Sequence, residues 1–335
     1  MSPLCGGKKY GKGMKGSVQD TSCIKNDSAT FCDVFTKVKD KINRLVLFTD
    51  TSKITLKKPE DFSKVLDLLA TASHIVTKTY HGRDPKTAFK NELRSNLTII
   101  NVFKNAKHHH TISHGFLWHK KPIYGMMIVG DDTSFHIFSE GCSTQIMHVK
   151  FTQTFFDKFV KEISETLDIT QKLGYQHHDI KPDNMIYCKH TDRFKIIDWE
   201  LVTHESAPLG SYWEMGNTLF NHPIKFYLGG LPAFIAKRLP ARFAVKKNKY
   251  HWVENLQSFE PLNLLTTTSF DYLVKKHSGE LAEKVYKRYM PHFDKYAFGQ
   301  SIVLLADKNN IEIPIETVRE LMAPLLPRPE KNKGK

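Results

Sequence analysis

The chain has 335 residues, of which 40% are hydrophobic and 25% are charged, which is typical of a globular protein with a large core. No apolar run approaches the ~18 residues of a membrane span, which argues against an integral membrane protein. The net charge of +14 favours acidic partners such as acidic proteins, nucleic acid or anionic lipid, or else serves only to speed encounter with an anionic substrate.

The five cysteines are scattered and include no C-x-x-C pair, which predicts neither a disulfide framework nor a zinc site. The N-terminus lacks the apolar core of a signal peptide. Both features favour a reducing compartment, and we expect a cytoplasmic location.

The first motif is glycine-rich. Residues 11–18 read GKGMKGSV and fit the pattern G-x-G-x-x-G-x-V. Gly11, Gly13 and Gly16 would let the backbone approach a phosphate closely, where amide groups can donate to it. The same pattern also occurs in flexible termini rich in glycine and lysine, so it gains weight only from a catalytic motif farther along the chain.

The middle of the chain alternates between strand and helix patterns. Residues 59–70 and 86–103 place their apolar side chains on one helical face, and residues 151–173 form a long amphipathic helix that ends at Gly174. Strands are predicted at residues 44–48, 74–80, 124–129 and 135–138.

The most informative segment lies directly after this helix. Residues 175–184 read YQHHDIKPDN, and Asp198 comes nineteen residues after Asp179. Asp179 could orient a hydroxyl nucleophile, Lys181 could neutralise phosphate charge, and Asn184 and Asp198 offer the oxygen ligands that magnesium prefers. Strands at 185–187 and 194–197 would hold this polar loop from one side.

This segment resembles the catalytic loop of eukaryotic-type protein kinases, H-R-D-L-K-P-x-N, and residues 198–200 resemble their D-F-G element. The Lys181-Pro182 pair is similar to the serine/threonine form. Small-molecule kinases of the aminoglycoside and choline type share H-x-D-x4-N and I-D-W-E but usually lack this pair, so they are the runner-up. The resemblance implies ATP and Mg²⁺ as cofactors, with Asp179 and Lys181 catalytic and Asn184 and Asp198 binding the metal.

The resemblance also assigns nucleotide-binding residues upstream. Gly11, Gly13, Gly16 and Val18 would form the phosphate-binding loop. Lys78 would be the lysine that pairs with the α- and β-phosphates.

Lys37 and Lys39 compete with Lys78, because Lys78 lies much farther from the glycine loop than is usual in the family. Glu92, on the predicted helix at 86–103, would form the ion pair with the lysine. Glu140 lies in the segment 139–141, where the family binds adenine between its two lobes.

Downstream, residues 216–223 resemble the end of an activation segment, and Asp294 resembles the aspartate that braces the catalytic loop. The stretch between them, 224–293, is a long basic insertion. Residues 316–326 predict one more helix, and 327–335 predict a disordered basic tail.

Three positions depart from the family pattern. His178 replaces the arginine that commonly clamps a phosphorylated activation loop, which predicts activity without that phosphorylation. Glu200 replaces the D-F-G glycine and is the best argument for a pseudokinase. Ile224 replaces a glutamate that usually forms a buried ion pair.

The sequence thus predicts an α+β, bilobal protein-kinase-like fold, with an N-lobe at 1–138 that carries the glycine loop and an insertion, and a shortened helical C-lobe at 139–326. The predicted function is ATP–Mg²⁺-dependent phosphorylation of serine or threonine on a protein. A pseudokinase binding module or a small-molecule kinase is the alternative. The predicted partners are a protein substrate and, through the basic insertion, nucleic acid or an anionic surface. The divergent form resembles kinases of large DNA viruses, which would place it in host cytoplasm or the virion.

Overall fold

The chain forms two compact units, Met1–Ser143 and Thr144–Lys335, in the computed structural model. The residues whose structure is described are 9–12, 16–20, 35, 38–72, 75–81, 83–107, 115–141, 144–207, 220–228, 230, 233, 236–237 and 257–326. The sequence predicts the boundary between N-lobe and C-lobe between residues 138 and 139, whereas the two units of the structure divide between residues 143 and 144.

A seven-stranded antiparallel sheet is the centre of the first unit. The strands of this unit are β1 (Lys9–Lys12), β2 (Gly16–Asp20), β3 (Ile42–Phe48), β4 (Lys53–Leu56), β5 (Ile75–Tyr80), β6 (Phe116–Trp118), β7 (Lys121–Ile123), β8 (Gly125–Gly130) and β9 (Ser134–Glu140). Seven of them pair in the order β1-β2-β5-β9-β8-β3-β4, and β6 pairs with β7.

Two helices cover this sheet, α1 (Pro59–Thr71) and α2 (Pro85–Asn105). The buried side chains of α1 pack in one apolar cluster with Met126, whereas Phe89, Leu93 and Ile100 of α2 pack in another against Met127. Because successive side chains of a strand point to opposite faces, the two helices cover opposite faces of the sheet. The α2 helix begins at Asp84, whose side chain accepts a hydrogen bond from the Thr87 amide at 3.1 Å.

The sheet order explains the long gap between the glycine loop and Lys78. Strand β5 lies between β2 and β9, and Val18 is directly opposite Lys78. Strands β3 and β4, which come from the intervening residues, pair beyond β8 at the other edge. The insertion therefore enlarges the sheet without separating β2 from β5.

The second unit is mainly helical. Its helices are α3 (Gln153–Lys172), α4 (Pro223–Leu228), α5 (Phe259–Lys276), α6 (Ala282–Asn309) and α7 (Ile315–Met322). Its short strands are β10 (Thr144–Gln145), β11 (Tyr175–Gln176), β12 (Met185–Cys188), β13 (Arg193–Ile196) and β14 (Thr203–His204). Strands β10, β12 and β13 form one sheet, and β11 pairs with β14.

Helix α3 delivers the chain to the polar loop. It buries Phe159 in an aromatic core with Phe194 of β13 and Phe298 of α6. It ends before Gly174, which has a φ of 75°, a left-handed conformation that favours glycine. A Cβ at this glycine would lie 2.9 Å from the His204 ring, so another residue here would have to displace that side chain as well as adopt the left-handed φ.

This antiparallel-sheet unit, followed by a mainly helical unit, is the α+β kinase-like fold class that the sequence predicts. Among the described residues, no helix has both the length and the apolar character needed to cross a bilayer. Cys188 is disulfide-bonded, which is a single bond and not the disulfide framework that the scattered cysteines argue against. The other four cysteines lie outside the described residues.

Candidate functional site

The polar loop between β11 and β12 is fixed at both ends by backbone pairing. At its start, Tyr175 and Gln176 pair with β14. At its end, Pro182–Asn184 form a 3-10 turn, and the Asn184 carbonyl accepts a hydrogen bond from the Ile197 amide at 2.8 Å. The loop is therefore tied to the segment that carries Asp198.

Asp179 is the centre of the loop. Lys181 Nζ lies 2.5 Å from its Oδ2, and the Asn184 side-chain amide donates to the same oxygen at 2.9 Å and to the Asp179 carbonyl at 2.8 Å. Among the described residues, both side-chain contacts to this carboxylate go to Oδ2. Oδ1 is thus the oxygen of Asp179 that is suited to accept a hydrogen bond from an incoming hydroxyl.

Asp294, on α6, holds the backbone just before Asp179. Its two carboxylate oxygens accept hydrogen bonds from the amides of His177, at 2.5 Å, and His178, at 2.9 Å. Hydrogen bonds from backbone amides to a buried charged carboxylate are among the stronger ones in proteins. The bracing contact that the sequence assigns to Asp294 is therefore present.

His178 is buried and has a φ of 68°, which is uncommon for a residue with a side chain. Its Nε2 lies 2.6 Å from the Thr203 hydroxyl of β14. Burial, with smaller effects from the charges of Lys225 and His177, holds the pKa of this imidazole well below its ordinary value. The neutral ring therefore makes an internal hydrogen bond and carries no charge for clamping a phosphate.

His177 connects the loop to the segment after β13. Its Nε2 is 2.9 Å from the Ile197 carbonyl, which requires a proton on Nε2, and its Nδ1 can then accept from the Asp179 amide at 3.2 Å. The ring packs edge-on against Trp199 with centroids 4.5 Å apart. The Trp199 indole donates to the Ile196 carbonyl at 2.9 Å, which fixes this packing.

Asn184 and Asp198 lie at the same end of the β12–β13 hairpin. Asp198 follows β13, is half-buried and has a left-handed φ of 66°. Because the Asn184 amide nitrogen donates to Asp179, its carbonyl oxygen is the atom it can offer to a cation. One amide oxygen and one carboxylate form a donor set that suits a hard divalent cation such as magnesium.

In the first unit, Lys78 and Glu92 form an ion pair. Lys78 Nζ of β5 lies 2.6 Å from Glu92 Oε2 of α2, and the Glu92 side chain is only 6% exposed. Lys39 belongs to a 3-10 turn before β3, and Lys37 lies outside the described residues. The pairing with Glu92 favours Lys78 as the candidate lysine.

For the other residues that the sequence predicts to bind nucleotide, the structure gives only the position of the backbone. Gly11 lies in β1, and Gly16 and Val18 lie in β2, which pairs with β1 as an antiparallel hairpin. Gly13 falls outside the described residues. Glu140 is the last residue of β9, opposite Ile75. The roles of these residues stay predictions.

Sequence reasoning missed three residues that contact the loop: Thr203, Asn221 and Lys225. Lys225 stands in the apolar run Pro223–Leu228 and is completely buried. A lysine inside such a run is the one signal that could have pointed to it, because lysines are rarely buried without a partner.

No family model matches this chain. No curated protein matches it either. Among solved structures, the chain is similar to the crystal structure of an Stt7 homologue from Micromonas algae soaked with ATP. The likeness covers 94% of this chain and 72% of that chain, at 13% sequence identity and a TM-score of 0.43. The function is therefore inferred from the chain's own residues.

Proposed function

We propose that this chain is an ATP- and magnesium-dependent protein kinase that transfers the γ-phosphoryl group to serine or threonine hydroxyls. One observation carries the proposal. Asp179 is held through its backbone and through one carboxylate oxygen: Asp294 binds the two preceding amides, while Lys181 and Asn184 both contact its Oδ2. A hydroxyl-orienting acid in a preorganised polar loop is what phosphoryl transfer demands of a protein.

In this proposal Asp179 accepts a hydrogen bond from the substrate hydroxyl and orients its oxygen for in-line attack. Lys181, at 2.5 Å from Asp179, carries the positive charge that lowers the cost of bringing a phosphate toward this carboxylate. Because Asn184 also donates to Asp179, the carboxylate cannot rotate without breaking two contacts.

Asn184 and Asp198 would hold magnesium, and their oxygen donors fit that ion. When bound, the ion would neutralise negative charge on the phosphates. The hydrogen bond from Asn184 to Asp179 would keep the amide oxygen directed away from the catalytic acid. The first unit would contribute Lys78, oriented by Glu92, and the backbone amides of the β1–β2 hairpin to nucleotide binding.

The test is phosphorylation of a panel of acidic and basic proteins with radiolabelled ATP and magnesium. We expect label on serine and threonine with the wild-type chain and none with Asp179→Asn or Asp198→Asn. Asp168→Asn is the matched control, since its side chain is 61% exposed on α3. Label on a metabolite instead of a protein would favour the small-molecule kinase, and absence of label from a folded wild-type chain would favour the pseudokinase.

A second comparison tests the lysine assignment. Lys78→Met should abolish transfer, whereas Lys37→Met and Lys39→Met should leave it intact. The reverse result would move the nucleotide-binding role away from β5. A basic-surface partner, a viral source and a cytoplasmic location stay predictions from the sequence.

A further inference from the structure

The buried ammonium group of Lys225 contacts the backbone of the loop that carries Asp179. Lys225 of α4 has no solvent exposure. Its Nζ donates to the His178 carbonyl at 3.1 Å and to the Asn221 side-chain oxygen at 3.3 Å. The Asn221 amide donates to the same His178 carbonyl at 3.4 Å. Two side chains of one segment therefore converge on a single backbone oxygen.

That oxygen belongs to the peptide that joins His178 to Asp179. The backbone amide of His178 donates to Asp294, so both backbone polar groups of this residue are held by charged side chains. His178 also has a positive φ, a strained conformation for a residue with a side chain. The conformation that presents Asp179 therefore depends on contacts made by residues distant in sequence.

We propose that Lys225 is a positioning residue, which fixes the His178–Asp179 peptide through the His178 carbonyl and thereby sets the direction of the Asp179 carboxylate. This inference rests on the proposed function, because it assigns Lys225 to the same reaction. Lys225 contacts no reacting group and acts through the backbone.

The charges around Lys225 agree with this role. Burial lowers its pKa to about 8, while the carboxylates of Asp294 and Asp179 oppose that shift. A buried ammonium is retained only where it is paired. Among the described residues, the charged or titratable groups that act on it are Asp294, Asp179 and His178. His222, on the same segment, is hydrogen-bonded to Ser269 of α5. Burial holds the pKa of both His178 and His222 far below neutrality, so neither changes charge between pH 6.5 and 9.5.

The experiment compares Lys225→Met, which keeps the aliphatic stem, with Lys287→Met, a 53% exposed lysine on α6. We expect Lys225→Met to lower kcat by at least about tenfold, with the KM for ATP unchanged, because misplacing a catalytic group slows chemistry without weakening binding. The ratio of wild-type to variant kcat should be largest near pH 7 and should shrink above about pH 8, where Lys225 loses its proton. Lys287→Met should match the wild type at every pH.

Hydrogen–deuterium exchange of residues 175–187 supplies a readout that needs no activity. Exchange in this segment should be faster in Lys225→Met and unchanged in Lys287→Met. If Lys225→Met does not fold, Asn221→Ala, which keeps the lysine, should show a smaller change in the same direction in both exchange and kcat. Unchanged kcat or unchanged exchange in the folded variant overturns the proposal. If the wild-type chain transfers no phosphate but Lys225→Met still exchanges faster than wild type, the positioning role is supported and the proposed function is refuted.

Discussion

Asp294→Asn is the perturbation whose effect the structure defines best. The two oxygens of Asp294 each accept one backbone hydrogen bond, from His177 and His178, and the residue is 4% exposed. Asparagine has the same shape but replaces one oxygen with an amino group. One backbone amide would then face a donor, and the other would lose a charged acceptor.

The expected cost is the sum of these two losses. A buried amide without a partner costs about 1–3 kcal/mol, and exchanging a charged for a neutral acceptor costs about 1 kcal/mol more. The free energy of unfolding should therefore fall by about 2–4 kcal/mol, a large part of the ~5–15 kcal/mol typical of a folded domain. The loss should be accompanied by a fall in kcat, because the same contacts hold the backbone next to Asp179.

Urea unfolding followed by circular dichroism measures the first effect, and phosphoryl transfer measures the second. Asp168→Asn is the control, since it also removes one carboxylate, from an exposed ion pair with Lys295 at 2.5 Å that should contribute no more than about 1 kcal/mol. If Asp294→Asn shifted the unfolding midpoint no further than Asp168→Asn, the reasoning that Asp294 braces the loop would be refuted.

Three further predictions concern the neighbouring contacts. Thr203→Val removes the hydroxyl that lies 2.6 Å from His178 Nε2, and it should lower stability by about 1–3 kcal/mol in urea unfolding because a buried ring nitrogen loses its partner. Phosphatase treatment of the wild type should leave the rate of phosphoryl transfer unchanged, since His178 is neutral and bonded internally; a loss of activity would contradict this. Burial lowers the pKa of His222 to about 3, so its contribution to stability is complete above pH 6.5 and is lost as the pH falls toward 3. In His222→Asn the decline of unfolding free energy between pH 6 and 4.5 should be shallower by about 1.4 kcal/mol per pH unit, and an equal slope in both proteins would count against a buried neutral ring.

The elements with clear periodicity could be predicted from the sequence. The helix predicted at 59–70 is Pro59–Thr71, the one at 86–103 is Pro85–Asn105, and the strands beside the catalytic loop pair as Met185–Cys188 with Arg193–Ile196. These segments carry their own hydrophobic pattern, and the pattern alone fixes their type and face. The Lys78–Glu92 pair could also be predicted, because the kinase family places such a lysine on a strand and its acid on the next helix.

Other features depend on contacts between distant residues and could not be read in this way. The order of strands in a sheet is set by tertiary pairing, so nothing in residues 42–56 shows that β3 and β4 join beyond β8. The burial of Lys225 depends on His178 and Asn221, which lie outside its own hydrophobic pattern.

The placement of β3 and β4 has a consequence for how such a chain could arise. Asp20, the last residue of β2, lies directly opposite Val76 of β5, so the chain leaves the β2–β5 pair and comes back to it at neighbouring positions. A segment with neighbouring entry and exit points can be gained in a single genetic insertion without moving the strands on either side. The relationship between two such chains is therefore easier to detect from which strands pair in the sheet than from an alignment of their sequences.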